Sequence, residues 1–92
     1  MQIQSLITPS RTLCGLEASS KKRALELLAN AIAQDLPDID ADDLFLRLVA
    51  RERLGSTGIG FGVGIPHCRA SHCESAIGAL VTLAQPIDFD AI

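Results

Sequence analysis

Residues 55–67 read Gly55-Ser56-Thr57-Gly58-Ile59-Gly60-Phe61-Gly62-Val63-Gly64-Ile65-Pro66-His67, and five of the seven glycines of the chain fall within them. The glycines alternate from 58 to 64, so in an extended chain they would leave one bare backbone face that another group could approach closely. Pro66 fixes its own φ and favours extended geometry at Ile65. The pattern predicts an extended segment that holds His67 at its end.

Groups that bind phosphate stand close to this histidine in the sequence. They are the guanidinium of Arg51, the hydroxyls of Ser56 and Thr57, and the N–H group of Gly58. A neutral imidazole can accept a phosphoryl group, a reaction in which the protein contributes mainly positioning and charge stabilisation. We therefore favour His67 as a phosphoacceptor and Arg51 as the side chain that stabilises the phosphoryl group. From composition alone, a structural interpretation is as well supported as this functional one. In it, His67 simply caps a strand and the glycines serve tight packing.

Other chemistries fit this segment less well. No lysine follows the glycines as a P-loop requires, and no glycine in the segment begins a GxGxxG pattern. The pairs His67-Cys68 and His72-Cys73 could supply zinc ligands, but their spacing matches no common zinc finger. Cys68 beside His67 could be a reactive thiol, although neighbours in sequence do not usually form a catalytic pair. The favoured interpretation involves no metal.

Helical periodicity predicts two helices before the glycine segment. The first begins at a cap on Ser19 or Ser20 and runs to about Asp35. The second begins at Asp40 and runs to about Arg53. Their predicted apolar faces are Leu25, Leu28, Ile32 and Leu36 in the first helix and Leu44, Phe45, Leu48 and Val49 in the second.

Basic residues occupy the first turn of the earlier helix, where the helix dipole favours acidic ones. They are Lys21, Lys22 and Arg23. A solvated basic end is the simpler interpretation. A docking site for an acidic or phosphorylated partner is the alternative.

The remaining segments predict strands and loops. Residues 10–18 are expected to form a loop with Cys14 and Leu16 turned inward. Ala76–Leu83 is apolar at most positions and predicts a central strand, with Ile59–Ile65 as its upstream neighbour. Ile87–Phe89 has the alternation of a half-buried edge. Helices followed by strands predict an α/β fold.

Composition excludes several classes of protein. The length of 92 residues predicts one domain, 1–92. A net charge of -3 argues against nonspecific binding of nucleic acid. No apolar run is long enough to cross a membrane, and no basic leader begins the sequence. Three cysteines without a framework spacing favour a reducing, cytoplasmic setting.

The central segment resembles a known family. Arg51-Glu52-Arg53-Leu54-Gly55-Ser56-Thr57-Gly58-Ile59-Gly60, followed by Gly64-Ile65-Pro66-His67, is similar to the active-site signature of the fructose/mannitol-type enzyme IIA of the bacterial phosphotransferase system. The nitrogen-regulatory branch is the most similar. Ser20-Lys21-Lys22-Arg23-Ala24-Leu25-Glu26 and Pro86-Ile87-Asp88-Phe89-Asp90-Ala91 also resemble that branch.

This resemblance implies a fold, a reaction and partners. The fold would be a mixed β-sheet flanked by helices. His67 would take a phosphoryl group from a phosphohistidine on an HPr-like phosphocarrier, and Arg51 would line the site. No cofactor is implied. The phosphorylation state would regulate targets such as potassium transport systems or a sensor kinase. The sugar-specific component of a fructose/mannitol permease is one alternative. A non-enzymatic binding module, with zinc held by the loop from His67 to Cys73, is the other.

The sequence departs from the family pattern in three respects. Cys68 stands where glycine is frequent, and Gly64 stands where alanine is frequent. Family domains continue for roughly another third beyond Ile92, consistent with usual domain sizes. We therefore expect a domain truncated at its C-terminus, with an unpaired sheet edge that the missing part or a homodimer would cover.

Overall fold

A computed structural model describes residues 6–69 and 76–89. These ranges form two helices and two small two-stranded sheets, a mixed α/β arrangement as the sequence predicts. The elements in chain order are β1 (Thr12–Leu16), α1 (Lys21–Asp35), α2 (Ala41–Leu54), β2 (Gly58–Gly60), β3 (Val63–Gly64) and β4 (Leu80–Leu83), with a 3-10 turn at Pro9–Arg11 before β1.

Both helices begin at the capping residues that the sequence indicates. The hydroxyl of Ser20 accepts the N–H of Arg23 at 3.1 Å, and α1 starts at the next residue. The carboxylate of Asp40 accepts the N–H groups of Asp42 at 2.8 Å and Asp43 at 3.3 Å. These contacts satisfy N–H groups that the first turn of a helix leaves without a backbone partner.

The core lies between α1 and α2. Most of its residues belong to the apolar faces predicted from the sequence, and Ala29, outside the predicted stripe, is its most deeply buried member. Cys68 also packs against this core, so the backbone directly after His67 is anchored to the helices. The buried centre consists of Leu25, Ala29, Leu44, Leu48 and Val49, with Leu28, Ile32, Ile39, Phe45 and Cys68 around it.

The expectation of a loop over residues 10–18 is wrong. This segment contains the strand β1, and Cys14 is exposed rather than turned inward, while Leu16 is half-buried. Gly15 adopts a φ of 69°, and the pairing register shifts between Leu13 and Leu16. This irregularity is the local reason why the alternation of buried and exposed side chains in β1 breaks down.

The expected central strand at 76–83 is also different in the structure. The strand β4 spans only Leu80–Leu83 and pairs in parallel with β1, not with Ile59–Ile65. Within the described ranges β4 has this one neighbour, and Leu80 is 50% exposed. The residues directly before β4 make other contacts instead of extending the strand. The carbonyl of Gly78 accepts a hydrogen bond from the side chain of Arg11, from Nε at 2.9 Å.

Arg11 is a buried cation that ties three parts of the chain together. Besides Gly78, it donates to the carbonyl of Leu6 at 3.0 Å and forms an ion pair with Asp35 at the end of α1. Hydrogen bonds from Ser10 and Arg11 lower the pKa of Asp35 below its ordinary value. This contact fixes β1, and with it β4, against the C-terminal end of α1.

Candidate functional site

The glycine segment forms a hairpin instead of one extended strand. β2 and β3 pair antiparallel, and the chain reverses at Phe61 and Gly62. Gly60, Phe61 and Gly62 have φ values of 90°, 58° and 76°, in the left-handed region that glycine enters readily and other residues rarely do. The glycine spacing therefore provides the turn as well as the bare backbone face.

The predicted close approach to that bare face is confirmed at two glycines, and the approaching group is Phe89. A Cβ on Gly64 would lie 2.8 Å from Phe89 Cε2, and one on Gly58 would lie 3.3 Å from Phe89 Cδ2. The hydroxyl of Ser56 also donates to the carbonyl of Phe89 at 3.4 Å. The segment near residue 89 thus supports the hairpin from its glycine face.

A buried ion pair lies beneath the loop that enters the hairpin. Lys21 Nζ is 2.6 Å from Glu52 Oε2, and the two side chains are 1% and 0% exposed. Glu52 also accepts the N–H of Thr57 at 3.1 Å and the hydroxyl of Thr57. Lys21 Nζ lies 4.3 Å from the ring centroid of Phe89, within cation–π range. The start of α1, the end of α2, the loop and Phe89 therefore share one polar cluster.

This cluster keeps Glu52 ionised. Burial alone would raise the pKa of Glu52, but hydrogen bonds from Lys21 and Thr57 outweigh that effect and hold the pKa below its ordinary value. A carboxylate that accepts several hydrogen bonds is fixed in position, because each donor restrains one of its lone pairs.

His67 is exposed at the end of the hairpin. Its Nδ1 lies 3.0 Å from the carbonyl oxygen of Ile65. A carbonyl can only accept, so Nδ1 carries the proton and donates. In the neutral ring, Nε2 then carries the lone pair and is the nucleophilic nitrogen.

Arg51 lies on the last turn of α2, as the sequence predicts. It is half-buried, and its Nη1 donates to the carbonyl of Gly55 at 2.9 Å. No hydrogen bond joins Arg51 to His67 within residues 6–69 and 76–89. The contact with Gly55 uses one of the five N–H groups of a guanidinium and holds the side chain over the start of the loop.

The predicted phosphate-binding donors are only partly available. The Thr57 hydroxyl and N–H both point to Glu52, so Thr57 faces inward and supports the loop instead of offering a donor. The N–H of Gly58 donates to Ser56 Oγ at 3.1 Å. The hydroxyl of Ser56 lies at the surface, and its contact with the carbonyl of Phe89 is long, at 3.4 Å.

The basic first turn of α1 divides into two parts. Lys21 is buried in the ion pair with Glu52, so the expectation that it contributes to a solvated or docking surface is wrong. Lys22 and Arg23 are exposed, and Arg23 forms an ion pair with Glu26. Lys21 is buried because its charge has a partner on α2, the carboxylate of Glu52.

Sequence reasoning missed Glu52 and Phe89 as parts of the site. Glu52 stands between two arginines, and nothing in that setting indicates that it is buried. Phe89 is expected from the sequence only at a half-buried edge. The signal that could have identified both was the pattern of family resemblance, which includes Glu52 and the segment 86–91 although neither carries a reactive group.

The zinc alternative depends on residues that the structure does not describe. His72 and Cys73 lie outside the described ranges. Among residues that are described, no group of three or more His, Cys, Asp or Glu side chains is arranged to hold a metal ion.

Residues 5–92 match the family model described as "Phosphoenolpyruvate-dependent sugar phosphotransferase system, EIIA 2". The chain belongs to this family. The EIIA 2 match includes the helices, the glycine hairpin, His67 and the segment that carries Phe89.

Nitrogen regulatory proteins are among the proteins to which this chain is similar. That of Pseudomonas aeruginosa is 50% identical over 92 residues, and that of Pseudomonas putida is 46% identical over 88 residues. The chain spans 60% of the P. aeruginosa protein and 99% of the P. putida sequence, in alignments that cover 100% and 96% of the chain itself.

A solved structure supports the fold. The crystal structure of the nitrogen regulatory protein IIA-Ntr from Neisseria meningitidis has a TM-score of 0.86 and 37% sequence identity. The similarity covers 97% of this chain and 60% of that one. The observed α/β arrangement is therefore that of an EIIA 2 protein.

The helices of the described ranges are too short or too polar to cross a membrane.

Proposed function

We propose that the chain is a phosphotransfer and regulatory protein that accepts a phosphoryl group on His67 Nε2. The observation that carries this proposal is the hydrogen bond from Nδ1 to the carbonyl of Ile65, on a histidine exposed at the end of the glycine hairpin. It leaves the lone pair on the other nitrogen. Membership of the EIIA 2 family supports the same reaction class.

In the proposed reaction, the lone pair of Nε2 attacks the phosphorus of a phosphohistidine on an HPr-like phosphocarrier. The new N–P bond forms on His67 as the N–P bond of the carrier breaks, and the electron pair of that bond returns to the carrier's nitrogen. The proton on Nδ1 stays in place, where the carbonyl of Ile65 stabilises the positive charge that develops on the ring.

Arg51 is proposed to stabilise the phosphoryl oxygens. Its contact with Gly55 uses Nη1, so N–H groups on the other guanidinium nitrogens remain for an anion. The surface hydroxyl of Ser56 could donate as well, whereas Thr57 and Gly58 support the loop. Lys22 and Arg23 are the exposed residues proposed for docking.

Regulation of nitrogen- or potassium-related targets by the phosphorylation state is part of the proposal. Similarity to nitrogen regulatory proteins supports the nitrogen-related part of it. The targets would include potassium transport systems or a sensor kinase, in the cytoplasm. Among the described residues the sheet of β1 and β4 has two strands, and a homodimer is proposed as one way to cover its edge.

Labelling with a phosphorylated HPr-like carrier tests the proposal. We expect acid-labile, base-stable phosphate on the protein, lost in His67→Ala and retained in the control His72→Ala. If His67→Ala is labelled and His72→Ala is not, the assignment of the phosphoacceptor is wrong.

A sugar-specific function is the second candidate. The fructose-specific EIIA component of Haloferax volcanii is 38% identical over 91 residues. Transfer of the labelled phosphate from His67 to another component of a fructose permease would favour this candidate over a regulatory role.

A further inference from the structure

We propose that Glu52 is a positioning residue that sets the orientation and tautomer of His67 through Thr57 and Ile65. The inference rests on the proposed phosphorylation of His67 for its kinetic consequences, but not for the geometry. It assigns a role to a buried carboxylate that the phosphotransfer chemistry itself does not use.

A continuous series of hydrogen bonds links the two side chains. Lys21 Nζ is 2.6 Å from Glu52 Oε2, and the N–H of Thr57 donates to the same oxygen at 3.1 Å. The carbonyl of Thr57 accepts the N–H of Ile65 at 3.0 Å, across the base of the hairpin. The carbonyl of Ile65 accepts Nδ1–H of His67 at 3.0 Å. Each bond fixes the group that makes the next one.

The link is mechanical. The N–H and the carbonyl of Thr57 belong to different peptide groups, as do those of Ile65, so polarisation is not passed through one conjugated unit. Each hydrogen bond restrains the position of the next residue in the series. If Thr57 moves, the carbonyl of Ile65 loses its restraint, and His67 can rotate or exchange its proton between nitrogens.

Glu52 is suited to this role because it cannot relax into solvent. Its side chain is 0% exposed, and Lys21 and two donors on Thr57 hold it. Phe89 restrains the same loop from the other side, since its ring lies against Gly58 and Gly64 and below Lys21 Nζ. The loop is therefore clamped where it enters the hairpin that carries His67.

Two double variants separate positioning from the effect of a broken ion pair. The acceptor-retaining double variant, Lys21→Met with Glu52→Gln, removes both charges but keeps an oxygen that accepts from Thr57. The acceptor-free double variant, Lys21→Met with Glu52→Met, removes both charges and the acceptor. The exposed Glu17→Gln is the control for a Glu-to-Gln exchange outside the cluster.

The first measurement is the pair of ring ¹⁵N chemical shifts of His67 in unphosphorylated protein, identified by their absence from His67→Gln. We expect protonated Nδ1 in the wild type, in Glu17→Gln and in the acceptor-retaining double variant. In the acceptor-free double variant we expect a shift toward the Nε2-protonated form. Identical tautomers in the two double variants, or an Nε2-protonated wild type, would overturn the inference.

The second measurement is the labelling rate with phosphoramidate, a small phosphodonor that needs no docking surface. We expect the acceptor-free double variant to be slower by about tenfold, because a displacement of about 1 Å in a reacting group can cost up to about a hundredfold. A purely structural role would lower stability without changing the tautomer or the rate of the folded protein.

A smaller change keeps the test decisive if the double variants do not fold. Thr57→Val removes the hydroxyl contact with Glu52 and Thr57→Ser keeps it. Thr57→Val should be slower and Thr57→Ser should keep the wild-type rate, whereas equal rates would contradict the inference. A tautomer change without any labelling of wild-type protein would refute the proposed function while leaving the positioning role intact.

Discussion

Removing the buried ammonium of Lys21 should be among the most destabilising single changes in this chain. Lys21 and Glu52 are 1% and 0% exposed and 2.6 Å apart, so Lys21→Met leaves a buried carboxylate without its counter-ion. Breaking such a pair from one side costs about 3–5 kcal/mol. A chain of 92 residues has a free energy of unfolding of about 5–14 kcal/mol, so the loss is a large fraction of the total.

The double variant Lys21→Met with Glu52→Gln should recover most of this loss. It removes both charges together, and neutral replacements of similar volume at buried ion pairs are often close to neutral in stability. We expect the double variant within about 2 kcal/mol of the wild type. The remaining loss of stability comes from the missing cation–π contact with Phe89 and from a weaker hydrogen bond between residue 52 and Thr57.

The deficit of Lys21→Met should also depend on pH. In the wild type the pKa of Glu52 is lowered, so its contribution is present above the unfolded-state pKa of about 4.3 and is lost as pH falls through the folded-state value. Without Lys21 one of the causes that lower the pKa of Glu52 is absent while burial still raises it, so we expect a higher pKa in the variant and a smaller penalty for the buried carboxyl as pH falls. The stability difference between wild type and variant should therefore shrink from pH 7 toward pH 4.

Urea denaturation followed by circular dichroism at both pH values measures these differences. The matched control is Lys22→Met, which removes an exposed lysine from the same helical turn and should change stability by less than about 0.5 kcal/mol. A cost below about 1 kcal/mol for Lys21→Met, or a deficit that does not change with pH, would refute the argument, since either result is typical of an exposed pair.

Arg51→Ala should slow phosphorylation by about tenfold or more, as loss of a charge from a phosphoryl site does, with labelling rate as the measurement and an unchanged rate as the contrary result. Phe61→Asn should raise the free energy of unfolding by about 1 kcal/mol. The φ of residue 61 is 58°, which asparagine adopts more readily than phenylalanine, and the exposed ring contributes no buried contact. An unchanged urea midpoint would show that the turn carries no strain. Asp40→Ala should lower the free energy of unfolding by about 1 kcal/mol, because α2 loses its N-terminal cap. The urea midpoint measures this as well, and an unchanged midpoint would mean that water replaces the cap. Cys14 should react with a thiol reagent in the native protein, as peptide mapping would detect, and protection would show that β1 is covered in solution.

The parts of the molecule that were predictable from the sequence depend on neighbours along the chain. Ser20 and Asp40 cap their helices through bonds that span two or three residues. The glycine alternation predicted a bare backbone face, which depends only on the absence of side chains at Gly58 and Gly64. In these cases the cause lies in the residues themselves or in near neighbours, so the sequence contains it.

The tertiary structure alone decided which distant groups meet. In the sequence, Lys21 is one of three basic residues at the start of a helix, which is typical of a solvated helix end. Its pairing with Glu52 is apparent only in the structure. The group that approaches the glycines could not be identified as Phe89, and the partner of β4 could not be identified as β1. A buried lysine costs too much to be expected until a carboxylate is placed beside it, and that placement follows only from the packing of α1 on α2.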